Sequence, residues 1–191
     1  MFGQNQAMEM KVYSKLPSDL ARRVKQFVLE NFYTEEERTP EHLVEEEDKF
    51  FSQPKAWLLV FGNNELTGRL LLHKRKIAFA NKEVVLGGIG GVCTRRDRRR
   101  QGLAMMMLKK AVEILKNWGC DIAYLCANIE KSRSLYSRTG FVPLNRPYTY
   151  YGRSGKLYEE NNGMIASLNS PSLFEEVLNS KQKLHLGSGN W

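Results

Sequence analysis

The sequence predicts a mixed α/β (α+β) layer structure, and three observations carry that reading. Compact apolar or alternating runs of strand type are interspersed with segments of helical period. Two of the strand-like segments are joined by a tight turn near Asn81-Lys82, which makes them an antiparallel pair. One strand–helix–strand crossover lies at the centre of the chain, so the sheet is mixed. With 191 residues, 42% of them hydrophobic and 10% aromatic, the chain is expected to form one domain with a real core.

Met8 to Tyr13 alternates weakly and reads as the first strand. Ser18 is placed as the N-cap of a helix carrying Leu20, Val24, Phe27 and Val28 at helical spacing. Pro40 opens a second, acidic helix with Leu43 and Val44. Ala56 to Phe61 is a compact strand, followed by a turn at Gly62-Asn63-Asn64. Strands over Leu66 to Leu72 and Val84 to Thr94 come next. A strong helix begins at Gly102, with Ala104, Met107, Leu108, Ala111, Leu115 and Trp118 on one face and Gly119 as its stop. Ile122 to Ala127 is a buried strand, and Lys131 to Arg138 is a short helix ended by Gly140. Strands near Tyr148 to Tyr151 and Met164 to Leu168 follow, the latter after an Asn161-Asn162-Gly163 turn, and a polar tail runs to Trp191.

Composition narrows the function classes. No apolar run is long enough to cross a bilayer, and the N-terminal Met-Phe-Gly-Gln-Asn-Gln lacks the pattern of a secretory signal. Cys93, Cys120 and Cys126 are odd in number and lie in apolar surroundings, so they read as reduced thiols and neither a disulfide framework nor a metal site is expected. A soluble cytoplasmic protein is expected. The net charge of +8 is unevenly spread: residues 30 to 49 hold nine acids against Arg38 and Lys49. Such a block is either a solvated helix face or a surface that attracts cations.

The stretch Val84 to Ala104 runs from an apolar strand through a basic, glycine-containing loop into a helix. A helix N-terminus presents unpaired N–H groups and partial positive charge; Gly102 allows close approach, and Arg98, Arg99 and Arg100 add charge. Pyrophosphate is the natural guest. The same loop could also contact nucleic-acid phosphates or be merely solvated, and it lacks the spacing of a dinucleotide fingerprint.

Arg99-Arg100-Gln101-Gly102-Leu103-Ala104 resembles the acetyl-CoA signature R/Q-x-x-G-x-G/A of the GNAT superfamily, placed between the fourth strand and the third helix. Leu135-Tyr136-Ser137-Arg138-Thr139-Gly140-Phe141 resembles its second signature, L-Y-x-x-x-G-F. The likeness covers about residues 8–168, with 169–191 as a C-terminal extension. It implies a mostly antiparallel sheet of about seven strands with about four helices, splayed between the fourth and fifth strands. It also implies an acetyl-CoA-dependent N-acetyltransferase that needs no metal. On that resemblance, backbone groups of Val92, Cys93 and Thr94 hold the pantetheine arm and polarise the thioester. The amides of Arg99 to Ala104 hold the pyrophosphate, and Tyr136 is the general acid. Transfer goes straight from thioester to amine.

Three positions depart from the family pattern. Ser132 replaces a small residue such as alanine, and Ile129 stands where an asparagine is common, with Asn128 one step earlier. The glutamate that many members carry on the fourth strand falls in Gly87-Gly88-Ile89-Gly90-Gly91; the strand's only acid is Glu83, at its far start. A base must therefore come from the acidic helices or from His73.

The ending Gly187-Ser188-Gly189-Asn190-Trp191 is similar to that of aminoglycoside 2′-N-acetyltransferases, where the terminal tryptophan helps bind a cationic sugar. Here Gly189 and Gly90 replace two acids of that group. The fourth-strand glycines leave room for a bulky acceptor, or simply allow the splay. With the acidic region, this points to a small cationic amine, polyamine or aminoglycoside-like, contacted by Glu36, Glu37 and Trp191. A lysine-bearing protein and a non-catalytic acyl-CoA sensor are the alternatives. Homodimers occur in the family; membrane and nucleic-acid partners are not expected.

Overall fold

The computed structural model describes residues 8–34 and 36–191. Glu35 of the acidic block and the N-terminal residues read for a secretory signal lie outside the described residues. The elements, in chain order, are β1 (Met8–Tyr13), α1 (Ser18–Asn31), α2 (Pro40–Lys49), β2 (Ala56–Gly62), β3 (Glu65–Phe79), β4 (Lys82–Thr94), α3 (Leu103–Asn117), β5 (Ile122–Cys126) and α4 (Ile129–Ser137). They continue with β6 (Val142–Pro143), β7 (Tyr148–Tyr151), β8 (Leu157–Glu160), β9 (Gly163–Ser167), α5 (Pro171–Asn179) and β10 (Leu184–Ser188).

A seven-stranded sheet runs β1-β2-β3-β4-β5-β9-β6, antiparallel at every pair but β4 with β5. The strand alternation sorts its side chains to two faces. Leu58, Val60, Leu70, Leu72 and Ile89 pack with α3 on one face, where Met107, Leu108, Ala111 and Leu115 are all fully buried. Leu59 and Phe61 turn to the other face and meet Leu20, Val24 and Phe27 of α1. β2 is thus buried on both sides, which explains its unbroken apolar run. No helix among the described residues is long and apolar enough to cross a membrane.

Three local expectations need correction. Pro17, not Ser18, is the N-cap of α1; Ser18 is the first helical residue, and no side chain caps that end. β3 continues seven residues past Leu72, to Phe79, because an unbroken ladder to β4 holds Lys74, Arg75 and Lys76 in the sheet despite their charge. The residues after Ser167 do not form a polar tail. They form α5 and β10, which joins β7 and β8 in a second, three-stranded sheet. Leu184, Leu186 and Trp191 are buried there.

The β4–β5 ladder is short: Leu86, Gly87 and Gly88 pair with Ile122, Ala123 and Tyr124, and then the strands part. The indole of Trp191 fills the base of the gap. It stacks on His73 at 5.1 Å, lies under the Arg75 guanidinium at 4.2 Å, and meets Tyr124 edge-on at 5.9 Å. The glycines of β4 therefore make room first for the protein's own side chain. A Cβ at Gly88 would lie 2.0 Å from the Trp191 ring.

Gly88→Ala is accordingly expected to cost about 1–3 kcal/mol, the usual size of core overpacking. Combining it with Trp191→Ala should cost less than the two single changes together, because the clash partner is gone. Chemical denaturation of the four proteins in that cycle measures the coupling; strictly additive costs would place the ring elsewhere.

Candidate active site

Two cavities lie along the open edge of β4. The first, of about 340 Å³, is lined by Thr94, Arg98, Arg99, Arg100, Gly102, Leu103, Ala104, Met105, Leu135 and Arg138. It sits at the start of α3. Met106 makes the first intrahelical bond, to the Gly102 carbonyl, so the amides of Leu103, Ala104 and Met105 have no helical partner. No side chain caps that end, since Gly102 stands at the cap with φ +81°. This left-handed conformation suits glycine and brings bare backbone to the cavity.

The arginine run divides by neighbour. Arg95 pairs with Glu65 at 2.5 Å and with Asp97 at 2.8 Å. Arg96 and Arg99 donate to the Tyr33 and Asn31 carbonyls, at 2.9 and 2.6 Å, at the C-terminal end of α1, where cations are favoured. Asn31, buried, locks the same junction by accepting from the Arg96 amide at 3.0 Å. Gln101 turns away and donates to the Asp97 carbonyl. Arg98 and Arg100 remain for the cavity; the buried Nε of Arg98 lies 3.9 Å from Asp97, too far for a hydrogen bond, and has no hydrogen-bond partner among the described residues. An uncapped helix start with a spare buried donor and positive charge fits the pyrophosphate of a coenzyme A thioester.

Between Arg69 and Leu71, β4 places Gly91 and Val92 opposite the single residue Leu70, a β-bulge with Gly91 at φ +53°. Beyond Gly88 the β4 edge facing β5 has no ladder partner, which leaves backbone groups of the Val92–Thr94 segment available to a ligand. The Cys93 side chain points into the α1 core instead, and burial pushes its thiol up to about 11.

The second cavity, about 330 Å³, opens on the other side of the bulge. Phe32, Tyr33, Leu43, Phe50 and Leu71 supply apolar wall, with Gly90, Gly91, Cys126, Asn190 and Trp191 around the floor. Glu46, Glu47, Arg69 and His73 bring ionisable groups to it. Most of the acidic block is engaged elsewhere. Glu37 caps the Thr34 amide, Glu45 pairs with Lys49, Glu47 with Arg153, and Asp48 accepts from Ser154 and Tyr158. Glu46 makes none of these ties, and burial holds its carboxyl above the usual carboxylate range. Glu36 and Glu37, expected at the acceptor, do not line this cavity; Trp191 does. The last turn of α2, ten residues further on, is what reaches it, a fact that depends on how α2 docks and not on its composition.

Tyr136 is buried in the core and itself lines neither cavity. Its neighbours Leu135 and Arg138 line the first, and Cys126, whose thiol adds to the rise in its pKa, lines the second. Burial pushes the phenol up to about 12, so it keeps its proton at neutral pH. Asn128 caps α4 by accepting from the Lys131 amide at 3.1 Å, which occupies the side chain one step before Ile129. His73 is buried beside Arg75 and its pKa falls to about 3, too weak a base to take a proton from an ammonium.

A parallel strand pair parts in mid-sheet, with a basic, uncapped helix start on one side and an ionisable cavity on the other. Residues 13–144 match the family model of the acetyltransferase (GNAT) domain, and the chain belongs to that family of N-acetyltransferases, for which acetyl-CoA is the acyl donor. No curated protein matches the sequence. Among solved structures, the chain is similar to the GNAT N-acetyltransferase YhbS of Escherichia coli in complex with CoA, at 15% identity and TM-score 0.58, over 97% of this chain and 93% of that one. Escherichia coli ElaA matches at 18% identity and TM-score 0.56, over 84% of this chain and 100% of that one. A probable N-acyltransferase of Enterococcus faecalis matches at 19% identity and TM-score 0.57, over 75% of this chain but only 35% of its own length. The chain likewise spans 35% of the matching Kribbella flavida N-acetyltransferase. At these identities the shared property is the fold.

Removing the spare donor should weaken coenzyme A specifically. Arg98→Ala is expected to cost about 1.5–3 kcal/mol of binding, the size of a hydrogen bond to a charged group, or roughly a tenfold to hundredfold rise in Kd. Calorimetric titration with CoA checks it, and an unchanged Kd would remove Arg98 from the cradle.

Proposed function

We propose that the protein transfers the acetyl group of acetyl-CoA directly to a primary amine of a small acceptor, which enters the second cavity as an ammonium. The observation that carries this reading is the uncapped, arginine-lined start of α3 and, beside the same strand edge, a cavity whose Glu46 carboxylate has no ion pair among the described residues; Tyr136 is buried next to residues that line each. The cofactor supplies an activated thioester. Backbone N–H groups of Arg100 to Ala104 and the Arg98 side chain bind its phosphates, while the amides of Val92 to Thr94 orient and polarise the carbonyl. Glu46 takes the proton from the amine nitrogen. Tyr136, protonated at neutral pH, delivers its phenolic proton to the sulfur. The missing glutamate of β4 is thus replaced from α2, across the cavity.

Glu46 and Glu47 favour an ammonium at the cavity wall, so a panel of primary amines of differing charge, with polyamines, aminoglycosides and lysine-bearing peptides among them, tests the acceptor. No second reading has an observation of its own to favour it.

Tyr136→Phe is expected to lower kcat by about two orders of magnitude, a typical acid–base contribution, with the Kd for CoA unchanged. Stopped-flow thiol release and CoA titration test the two halves; unaltered turnover would exclude the tyrosine from the proton path. The pH profile has a direction. Glu46 must be ionised to act, so kcat/KM should fall as the pH drops through its raised pKa, and Glu46→Gln should abolish that acid limb. Tyr136, at about 12, sets no alkaline limb in the working range. An acid limb that survives in Glu46→Gln would assign the base elsewhere.

A further inference from the structure

The second cavity contains a charge that an amine does not explain. Arg69, on β3, lines it, yet the guanidinium makes no ion pair among the described residues, and its buried Nε has no hydrogen-bond partner. The four other arginines nearby, Arg95, Arg96, Arg98 and Arg99, either hold a protein partner or face the first cavity. A buried cation left unpaired is costly, and the usual remedy is an anion that satisfies its planar fork. Arg69 also packs on the bulge. A Cβ at Gly91 would lie 2.8 Å from one of its terminal nitrogens, so only a residue without a side chain lets the guanidinium rest there. The acyl-carrying segment proposed for the donor, Val92 to Thr94, starts at the next residue.

Glu46 and Arg69 are close enough to act on one group. Burial raises the pKa of the Tyr33 phenol, Glu46 raises it further, and Arg69 opposes the rise. Tyr33 is therefore flanked by a carboxylate and a guanidinium on the wall of a single cavity. Phe32, Leu43, Phe50 and Leu71 give that wall an apolar stretch; of its other ionisable residues, Glu47 is paired with Arg153 and His73 is buried against Trp191.

We infer that the acceptor is an amino acid with an apolar side chain: Arg69 binds its carboxylate, Glu46 receives its ammonium, and the apolar wall takes the side chain. The inference rests on the proposed N-acetyl transfer and names the substrate class of that same site. The carboxylate sits at the bulge, beside the acyl group, so the amine acetylated is the one attached near that carboxylate. Transfer forms the amide C–N bond and breaks the C–S bond. Of the three ammonium protons Glu46 takes one before attack, a second leaves the nitrogen as the adduct collapses and restores Tyr136, whose own proton has gone to the departing sulfur, and the third stays on the amide. A polycation would meet Arg69 as a like charge and is disfavoured.

The test uses amine pairs that differ only in the carboxylate: phenylalanine against phenethylamine, and leucine against isopentylamine. Binding to the CoA-loaded full chain is read by calorimetry and thermal shift, and acetyl transfer by mass spectrometry. The amino acids should bind and react at least tenfold better than their decarboxylated partners, and Arg69→Gln should bring that ratio near one. Retention of the acetyl-CoA thermal shift shows that the variant is folded, and Arg69→Met, which removes the buried charge at similar length, is the second variant. Equal use of the amines lacking a carboxylate, a ratio that survives in both variants, or no binding by any member of either pair would each overturn the inference. Acetyl transfer to plain amines with no carboxylate preference sinks this inference alone, whereas absence of any acetyl-CoA shift sinks the transferase reading beneath it.

Discussion

The structure depends on the parting of β4 from β5. A parallel ladder three residues long is enough to bind the two halves of the sheet, and its end at Gly88 and Tyr124 leaves a strand edge without a partner. Unpaired backbone edges must be covered or used. Here both happen. Trp191 covers the base, anchored through Asn190, whose side chain accepts from Tyr124 and donates to Tyr148. The Cys126 thiol donates to the Trp191 carbonyl at 2.8 Å. Above this plug the edge is open, and both cavities line up along it.

The plug also accounts for the glycines of β4. A Cβ at Gly90 would stand 3.1 Å from the Trp191 backbone, so a side chain there needs that backbone to shift by a few tenths of an ångström. Packing thus disfavours a side chain on this stretch of β4, and the carboxylate without an ion pair among the described residues that lines the cavity, Glu46, comes from α2. Tight core packing thereby decides where an ionisable group can be placed.

The basic loop before α3 shows how charge is divided between architecture and ligand. Two arginines bind the carbonyls at the end of α1, one pairs with acids, and this fastening holds the loop so that the α3 amides stay exposed to the cavity. A run of like charges that looks uniform along the chain has distinct tasks in space. The acidic block behaves likewise, with Glu45, Glu47 and Asp48 tied to Lys49, Arg153 and the β7–β8 hairpin, and Glu46 left over.

Much of this was legible in the residues. The apolar period of α3, the buried run of β2, the Asn81 turn and the two family signatures are local patterns, and local patterns predict elements and the donor cradle because backbone geometry repeats over a few residues. Arg99, Arg100, Gly102, Leu103 and Ala104 of the expected cradle line one cavity with Thr94, whereas Gln101, Val92 and Cys93 do not line it. The acceptor side was not legible. Arg69 sits in a strand of alternating apolar residues and gives no motif, Glu46 is one of nine acids, and Glu36 and Glu37 were indistinguishable from it in sequence. The C-terminal residues read as polar because their apolar members, Leu184, Leu186 and Trp191, are few and need strands far away in sequence to bury them. The sequence by itself determined the central elements from β1 to α4 and the basic, glycine-containing loop before α3, which depend on neighbours along the chain. Only the tertiary structure decided which charges stay unpaired and where Trp191 lies, because burial and pairing are relations between residues that meet only when the sheet is assembled.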